Sequence, residues 1–354
     1  IFRLMILILI INLSFANQLK AQFKVVQNRP SNYSFNIKEN AHQLTDGSTN
    51  IQATAIWNNT DVKGFEKIDL YFNFLVEAEY YLGYKDKEGA DGIAFVLQSQ
   101  GDNALGSVGV GMGFAKNIYD HNKVVSPSLG IELDTWFNDY NSPPVVDTNP
   151  NDHFAYDVDG DLLDRIGLDY DAKKDSNNNA MNIEDSTFHC VKFFWDSESF
   201  ELSTYLDGQL RKTEVFDGIS NSRLTNIIKT NLVYWGFTTG TATRDNIHMV
   251  RFDGIKRAKD ACFAEIYKDS PYNTTNPNCG LEYLNICENK TADAILFVST
   301  AKMPIDSIVW RSKNNVTKIQ SMSSNNDKVK ITLSSADEIT VTIYYTNGCI
   351  ASDN

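Results

Sequence analysis

The chain has 354 residues and carries 45 aspartates and glutamates against 32 lysines and arginines, a formal net charge of −13. This acidic balance argues against a nucleic-acid partner, because binding to a phosphate backbone needs a basic surface, and it is compatible with cation binding. The length has room for one large β domain with a smaller companion, or for two to three average domains.

The residue types indicate an all-β fold. Tyr, Phe, Thr, Val and Ile occur in short runs broken by Gly, Asn and Asp, which is typical of sandwiches and barrels. We predict roughly ten short strands before residue 254, enough for two facing sheets. The clearest of these strands are predicted at residues 68–76, 90–98, 129–136, 188–194, 200–206, 231–237 and 248–252.

The N-terminus predicts an export signal over residues 1–21. Arg3 precedes a mostly apolar run at 4–15 that is too short to span a bilayer comfortably, and Ala21 offers a small residue for cleavage. An uncleaved membrane anchor is the alternative. No other segment approaches the length of a membrane span. The chain does not begin with Met and its last residues look mid-domain, so we expect a fragment of a longer protein.

The stretch at 130–138 predicts a metal site. Read as a strand, it places Glu132 and Asp134 on the same face, where two neighbouring carboxylates repel each other and need a cation or a catalytic role. Carboxylate and amide oxygens suit calcium, and an imidazole among carboxylates suits a transition-metal ion such as manganese. The candidate ligands downstream are Asn138, Asp147, Asp152 and His153.

Two other motifs resemble ligand sites but have simpler readings. The Gly-rich segment at 105–114 lacks the following helix and the Lys-Ser/Thr of a phosphate loop, so its glycines indicate a close approach of the backbone to a ligand or a second loop. The acidic run at 157–161 lacks the later Glu and the flanking helices of an EF-hand. We therefore predict a hairpin turn at Asp159-Gly160, and another at Asp207-Gly208.

The five cysteines divide into one and four. Cys190 stands alone in a mostly apolar predicted strand, where a small buried residue is the expected role rather than a nucleophile. Four cysteines clustered in an exported protein favour disulfides, with three connectivities that the sequence does not separate. These four are Cys262, Cys279, Cys287 and Cys349.

The composition changes near residue 257. We predict a Cys-rich, loop-heavy linker at 255–292, followed at 293–354 by a small β domain, incomplete if the chain is a fragment, with strands near 294–299, 307–310, 328–333 and 339–345. The final strands, with the sequence VTIYYTNGC at 341–349, resemble the end of immunoglobulin-like modules repeated in bacterial surface proteins.

Residues 22–254 resemble an L-type (legume-type) lectin domain of the bacterial kind. The resemblance rests on GADGIAFVLQ at 89–98, the Gly-rich segment, GIELDTWFN at 130–138 with DHFAYD at 152–157, and YWGFTTG at 234–240. It implies an all-β, legume-lectin-like antiparallel sandwich (a jelly roll) that binds sugar beside a calcium ion and a transition-metal ion such as manganese. The small C-terminal domain would be a second β-sandwich.

The resemblance also implies roles for individual residues. Asp91, after a cis peptide from Ala90, would accept hydrogen bonds from sugar hydroxyls, and Asn138 would donate to the sugar while meeting calcium. The family often has a Gly pair where this chain has Gly109-Val110. The loop 238–246 would set sugar preference. The implied sugar-binding residues are Asp91, Gly109, Val110, Gly111, Asn138, Thr239 and Gly240.

The implied metal ligands leave one position open. Asp134 would bridge the two ions, Trp136 would offer calcium its backbone carbonyl, and Glu132 and His153 would hold the transition metal. The second aspartate is either Asp147 or Asp152, and the family spacing favours Asp147. The implied metal ligands are Glu132, Asp134, Trp136, Asn138, Asp147, Asp152 and His153.

The function implied is a secreted or cell-surface, non-catalytic lectin or adhesin that binds glycans or polysaccharide. It predicts no nucleic-acid partner and no membrane insertion after signal removal, and it leaves oligomerisation open. One alternative is a glycoside hydrolase on a related jelly roll, but the Glu-x-Asp-x-x-Glu pattern of such enzymes fails at Phe137. Another is a structural spacer with an inactive sugar site, against which Asp91 and Asn138 together argue.

Overall fold

The computed structural model describes residues 23–29, 33–48, 51–117, 122–138, 147–216, 224–257, 261, 264–268, 292–301, 303, 305–315, 317–324, 326–333, 338–346 and 349–353. The predicted signal at 1–21 and three of the cysteines, Cys262, Cys279 and Cys287, lie outside these residues.

Strands dominate the chain as far as residue 257. The described strands in this part are β1 (Phe23–Gln27), β2 (Ser34–Asn36), β3 (Ala41–Gln43), β4 (Gln52–Asn58), β5 (Ile68–Asp69), β6 (Phe74–Tyr81), β7 (Gly92–Gln98), β8 (Ser128–Asp134), β9 (His153–Val158), β10 (Asp161–Arg165), β11 (Tyr170–Asp171), β12 (Phe188–Asp196), β13 (Glu201–Leu206), β14 (Gln209–Val215), β15 (Leu232–Thr241) and β16 (Met249–Arg257).

These strands form two antiparallel sheets. Nine described strands form one sheet, with the order β1-β4-β15-β7-β8-β9-β10 and with β5 and β11 pairing with β15 and β9. Seven form the other, with the order β14-β13-β12-β6-β16-β3-β2. The described helices are the short α1 (Leu224–Ile228) and a 3₁₀ turn at Gly109–Gly111. Within the described ranges, no helix has the length and apolar character needed to cross a membrane.

The two sheets face each other across one apolar core. Along β12, the alternate residues Val191, Phe193 and Trp195 point into this core, as the period of two in a strand requires. Phe193 stacks on Phe95 of β7, with 4.8 Å between ring centroids, and so joins the two sheets. The fold class predicted from the sequence, an antiparallel all-β sandwich, is confirmed.

The Gly-rich segment covers the outer face of the nine-stranded sheet. Met112 and Phe114 are fully buried there and pack in one cluster with Trp57 of β4. Gly130 of β8 makes room for this packing, because a Cβ at that position would lie 2.2 Å from the ring of Phe114. The segment therefore has a fixed position on the sheet. A fixed position is what its glycines need if they are to bring the backbone close to a ligand or a second loop, as predicted.

The predicted hairpin turns are confirmed, and two strand boundaries are corrected. Asp159 and Gly160 both have positive φ, at 55° and 62°, which is the conformation of a type I′ turn between β9 and β10. The strand predicted at 68–76 is wrong as a continuous element. It is broken by a turn in which the Asp69 side chain accepts a hydrogen bond from the Tyr71 amide at 3.1 Å. In addition, β15 runs to Thr241, four residues beyond the predicted end of that strand.

The C-terminal part contains two further sheets. Four described strands pair in the order β17-β18-β21-β20, and three in the order β19-β22-β23. The strands are β17 (Ala264–Lys268), β18 (Ala292–Thr300), β19 (Ile305–Ser312), β20 (Lys318–Ser321), β21 (Lys328–Leu333), β22 (Ile339–Tyr345) and β23 (Ile350–Asp353). The predicted linker at 255–292 thus contains the strand β17, which pairs with β18 of the C-terminal sheet.

Cys190 is buried and disulfide-bonded, and Cys349 is disulfide-bonded too. The predicted burial of Cys190 is confirmed, but the expectation that disulfides involve only the four cysteines after residue 260 is wrong. All the other cysteines of the chain lie after residue 260. The disulfide of Cys190 consequently ties β12, in the seven-stranded sheet, to the C-terminal part of the chain. Consistent with this, Leu75 and Phe194 of that sheet pack in one cluster with C-terminal residues such as Leu296.

A buried ion cluster lies beside Cys190 at the start of β12. His189 contacts Asp207 through Nδ1 at 2.9 Å and Asp185 through Nε2 at 3.2 Å, and Lys173 also pairs with Asp207. Burial and Lys173 lower the pKa of His189, but attraction to Asp207 and the hydrogen bond to Asp185 outweigh them and raise it to about 9.

This cluster predicts a pH dependence of stability on the alkaline side. The pKa of His189 rises from the unfolded value of about 6.5 to about 9, so the protonated ring contributes on the order of 3 kcal/mol to the free energy of unfolding. The contribution is complete below about pH 6.5 and is lost as the pH rises through about 9. We expect the stability difference between wild type and His189→Gln, from urea unfolding, to shrink over that range.

His42→Gln is the matched control for this experiment. Burial lowers the pKa of His42 to about 4, so its ring is neutral throughout the alkaline range. The stability difference between wild type and His42→Gln should therefore stay constant from about pH 6.5 to about pH 9. A constant difference for His189→Gln as well would show that this ring is not charged in the folded protein.

Candidate functional site

The site begins on the outward face of β8. Ile131 and Leu133 point into the core, so Glu132 and Asp134 point to the opposite face, where they are 0% and 2% exposed. Glu132 Oε2 is buried and has no hydrogen-bond partner among the described residues. Two carboxylates are thus withdrawn from water with too few donors to satisfy them, which is costly unless a cation is bound.

His153 lies directly across the ladder from Asp134, where β9 begins. Its Nδ1 lies 2.8 Å from the Asn151 carbonyl, which can only accept, so Nδ1 carries the proton. In the neutral ring, Nε2 then keeps a free lone pair. This atom is buried without a hydrogen-bond partner among the described residues. The ring is therefore oriented as metal-bound histidines are, with one nitrogen anchored and the other available.

The chain after β8 is closed by Asn138 and Asp147. The Asn138 backbone amide donates to Asp147 Oδ2 at 2.6 Å, and the Asp147 backbone amide donates to the Asn138 backbone carbonyl at 3.0 Å. Asn138 Oδ1 is buried and has no partner in the described part of the chain. The Trp136 amide donates to Asp134 Oδ1 at 2.7 Å, which fixes the turn out of the strand.

The electrostatics of this cluster favour bound cations. Burial, followed by repulsion from neighbouring carboxylates, raises the pKa of Glu132 and of Asp134 well above the usual range. Burial also raises the pKa of Asp147. One oxygen or nitrogen each from Glu132, Asp134 and His153 lies within 4.8 Å of the others, close enough for a single ion. This donor set of carboxylates and one imidazole fits a transition-metal ion.

Asp91 lies beside this cluster, immediately before β7. Its amide donates to the Gly240 carbonyl at 3.3 Å, and its own carbonyl accepts from the Thr135 amide at 2.9 Å. The Ala90–Asp91 peptide is cis, as the family resemblance implies. The Asp91 backbone is thus tied on one side to β15 and on the other to the residue that follows β8.

The Asp91 carboxylate is free to accept a ligand. Its Oδ2 atom is buried and has no hydrogen-bond partner within the described ranges. Burial, together with repulsion from Asp147 and Glu132, raises the pKa of Asp91 to about 8 in the ion-free chain. Cations held by the neighbouring carboxylates would offset this repulsion and favour the ionised form of Asp91.

The Gly-rich segment brings its backbone to Asp91. Gly109 has φ +59°, and a Cβ built on it would lie 3.9 Å from Asp91 Oδ2 and 3.0 Å from Ala242 Cβ. Gly240 permits this approach, because a Cβ there would lie 2.8 Å from the Gly109 carbonyl oxygen. Val110 is half-buried against the outer cluster, and the Gly111 amide donates to the Val108 carbonyl.

Comparison with known proteins shows which family the sequence matches. Residues 16–254, more than half of the chain, match the family model described as the legume lectin beta-barrel domain (L-type lectin domain). The chain belongs to the legume-type lectin family. It is therefore a carbohydrate-binding lectin, from a family that points to a non-enzymatic role.

Solved structures of lectins are similar to this one at low identity. Lectin II from Ulex europaeus is 16% identical, with a TM-score of 0.48, over 67% of this chain and 93% of that chain. Peanut lectin with a nonapeptide is 18% identical, with a TM-score of 0.45, over 67% and 90%. The Ca²⁺- and mannose-bound exoplasmic domain of VIP36 is 13% identical, with a TM-score of 0.41, over 67% and 82%. The family assignment rests on the family match.

Most of the predicted site residues of the lectin come together, but two side chains lie elsewhere. Thr239 is fully buried in β15, and its hydroxyl donates to the Gly92 carbonyl at 2.6 Å and contacts His248, so this side chain points into the fold. The predicted loop at 238–246 accordingly begins only after Thr241. Asp152 Oδ2 accepts from the Ile183 amide at 2.9 Å, and its carboxylate is not in either group of described side chains close enough to share an ion.

Sequence reasoning missed a cation in this carboxylate cluster. The guanidinium of Arg165, at the end of β10, contacts the carboxylates of Glu132, Asp147, Asp157 and Asp169. Asp157 lies in the DHFAYD sequence at 152–157, but the family resemblance implies no role for it. No sequence signal pointed to Arg165, because β10 pairs with β9 through a register shift that places Arg165 opposite Asp157.

A second missed residue lies at the rim. Arg244, in the loop after β15, places its guanidinium 4.3 Å from the ring centroid of Trp136 and also pairs with Glu88. A cation over an indole face is a favourable contact. The contact joins the loop after β15 to the turn after β8, the two loops that flank Asp91.

Proposed function

We propose that this protein is a secreted or cell-surface lectin whose sugar binding depends on divalent cations. Carbohydrate binding follows from the family, whereas the cation dependence, the export and an adhesin role are the proposal. One observation carries it. Four buried atoms without hydrogen-bond partners among the described residues meet around the end of β8: Asp91 Oδ2, Glu132 Oε2, Asn138 Oδ1 and His153 Nε2. Buried polar atoms are normally paired, so such a concentration is typical of a site that binds ligands.

The residues present fit two kinds of ion. Glu132, Asp134, Asp147 and His153 would hold a transition-metal ion such as manganese. The oxygen donors that calcium prefers are available from Asp134, the Trp136 carbonyl, Asn138 and Asp147. Cations there would supply the positive charge that the buried carboxylates lack.

Sugar recognition then falls to the atoms that border the cluster. The Asp91 carboxylate accepts hydrogen bonds from sugar hydroxyls, and the Asn138 amide group donates to the sugar while its oxygen faces an ion. Backbone amides near Gly109 supply a further donor, and the loop after β15 sets the preference among sugars. A carboxylate and an amide fixed by buried backbone contacts suit a ligand whose hydroxyls both donate and accept.

Export is supported by two features. The apolar run at residues 4–15 behind Arg3 predicts a signal sequence, and disulfide-bonded cysteines are characteristic of oxidising compartments. We also propose that the C-terminal strands form an immunoglobulin-like module, and that the lectin domain is of the bacterial kind. The module would hold the lectin domain away from an attachment surface.

A glycan array with and without chelator tests the proposal. The full chain, loaded with Ca²⁺ and Mn²⁺, should bind a subset of glycans, and this binding should vanish after chelation and return when the ions are restored. Binding that survives chelation would contradict the cation dependence. A complete absence of binding in the loaded protein would support the spacer reading, and release of reducing sugar would support the hydrolase.

A further inference from the structure

Two groups of described side chains are close enough to share an ion, and they have His153 in common. One consists of Glu132, Asp134 and His153, and the other of Asp147, His153 and Asp169. The two groups differ in their contacts with Arg165. This residue has no role in the metal binding or sugar binding proposed above.

The second group already contains a cation. Arg165 Nη1 lies 3.2 Å from Asp147 Oδ1 and 3.0 Å from both carboxylate oxygens of Asp169. A metal ion at the same place would need oxygens at about 2.0–2.2 Å and would come against the guanidinium. The carboxylate oxygens of this group are therefore neutralised by arginine, whereas Glu132 Oε2 and His153 Nε2 of the first group have no partner among the described residues.

The other nitrogens of Arg165 extend the same pattern. Nη2 donates to Glu132 Oε1 at 2.8 Å, and Nε donates to Asp157 Oδ1 at 3.0 Å. The side chain is only 10% exposed, so these contacts are poorly screened by water. A guanidinium stays protonated under all ordinary conditions, and its planar fork fixes the direction of each donor.

We propose that Arg165 is a permanent cation built into the ion-binding cluster, where it holds Glu132 and Asp147 in place and lowers the dependence of folding stability on bound metal. Each of these two carboxylates gives one oxygen to the arginine. The second oxygen of Glu132 has no hydrogen-bond partner among the described residues, and the second oxygen of Asp147 accepts from the Asn138 backbone amide while keeping a lone pair for an ion.

Charge balance supports this role. The carboxylates in contact with Arg165, together with Asp134, make five formal negative charges against one positive charge. The net negative charge is compatible with bound cations beside the arginine. Without the arginine, none of these carboxylates would have that fixed positive charge nearby, and a buried carboxylate without a cation is costly whether it stays ionised or takes up a proton.

The consequence is a linkage between Arg165 and metal. The inference rests on the proposed ion binding, but it makes a separate prediction. Loss of the arginine should destabilise the ion-free protein more than the ion-loaded protein, because ions can replace part of the missing charge. The increase in melting temperature produced by ions should therefore be larger in the variant than in the wild type.

The test uses Arg165→Met in the full chain, because methionine keeps much of the apolar stem and removes the charge. Melting temperatures are measured in excess Ca²⁺ and Mn²⁺ and after chelation. We expect an ion-induced increase of about 5–10 °C in wild type, for ions at roughly 100 times their dissociation constant, and at least about twice that increase in the variant. Arg211→Met is the control, since Arg211 donates to the Asp171 carbonyl. It should leave the wild-type increase unchanged.

An ion-induced increase in Arg165→Met that is equal to or smaller than the wild-type value overturns the inference, because Arg165 would then be an ordinary structural ion pair. If Arg165→Met fails to fold in both conditions, Arg165→Lys decides by the same comparison. A lysine keeps the charge but cannot span four carboxylates, so a larger increase than in wild type is again expected. Metal content of the wild type by mass spectrometry tests the proposed ion binding independently.

Discussion

Asp91→Ala is expected to weaken glycan binding by at least about 100-fold, since hydrogen bonds to a charged acceptor contribute about 1.5–3 kcal/mol each. The reason is the position of Asp91 Oδ2, which is buried, has no partner among the described residues and lies beside the backbone of Gly109. The dissociation constant is measured by titration calorimetry with a glycan identified on the array, using the ion-loaded protein.

The same variant should not lower the melting temperature. An ionisable group that is buried without a full set of partners opposes folding, so its removal relieves a cost. Asp61→Ala, at an exposed aspartate far along the chain from the site, is the control and should change neither property. If Asp91→Ala bound glycan as tightly as the control does, the sugar site would lie elsewhere.

Asp147→Asn is expected to remove ion binding, and with it glycan binding, whereas Asp152→Asn is expected to preserve both. An asparagine at position 147 can still accept a hydrogen bond from the Asn138 backbone amide, but it lacks the negative charge with which the carboxylate attracts a cation. We expect the ion affinity to fall by at least about 100-fold, because even outer partners of metal ligands change affinity by about 10–100-fold. Bound metal per chain after dialysis, and the ion-induced change in melting temperature, are the measurements.

Asp152→Asn is the matched control because the change is chemically identical and five residues away. The Asp152 carboxylate accepts from the Ile183 amide, an interaction that asparagine can retain. The two variants thus separate the alternatives that the sequence leaves open. Loss of metal in Asp152→Asn, with metal retained in Asp147→Asn, would reverse the assignment.

The parts of the fold that follow local rules could be predicted from the sequence. The alternation in β8 correctly separates Ile131 and Leu133, in the core, from Glu132 and Asp134, on the outward face. The Asp159-Gly160 turn follows from the preference of these residues for positive φ. Both features depend on residues close together in the chain.

The parts that depend on tertiary pairing could not be predicted. Arg165 reaches Glu132 because β10 shifts its register against β9 between Asp161 and Arg165, and no local pattern announces such an irregularity. The break near Tyr71 arises from a hydrogen bond of Asp69 that competes with the strand pattern. The partner of Cys190 lies more than 70 residues away in sequence.

The disulfide of Cys190 also determines how the molecule would carry a pulling force. Tension between a bound sugar and the C-terminal end of the chain would enter the sandwich at β12, through a covalent bond, once the connecting segment is taut. β12 is an interior strand, paired with β6 on one side and β13 on the other along most of its length. Load applied there is shared by two ladders of hydrogen bonds that must yield together.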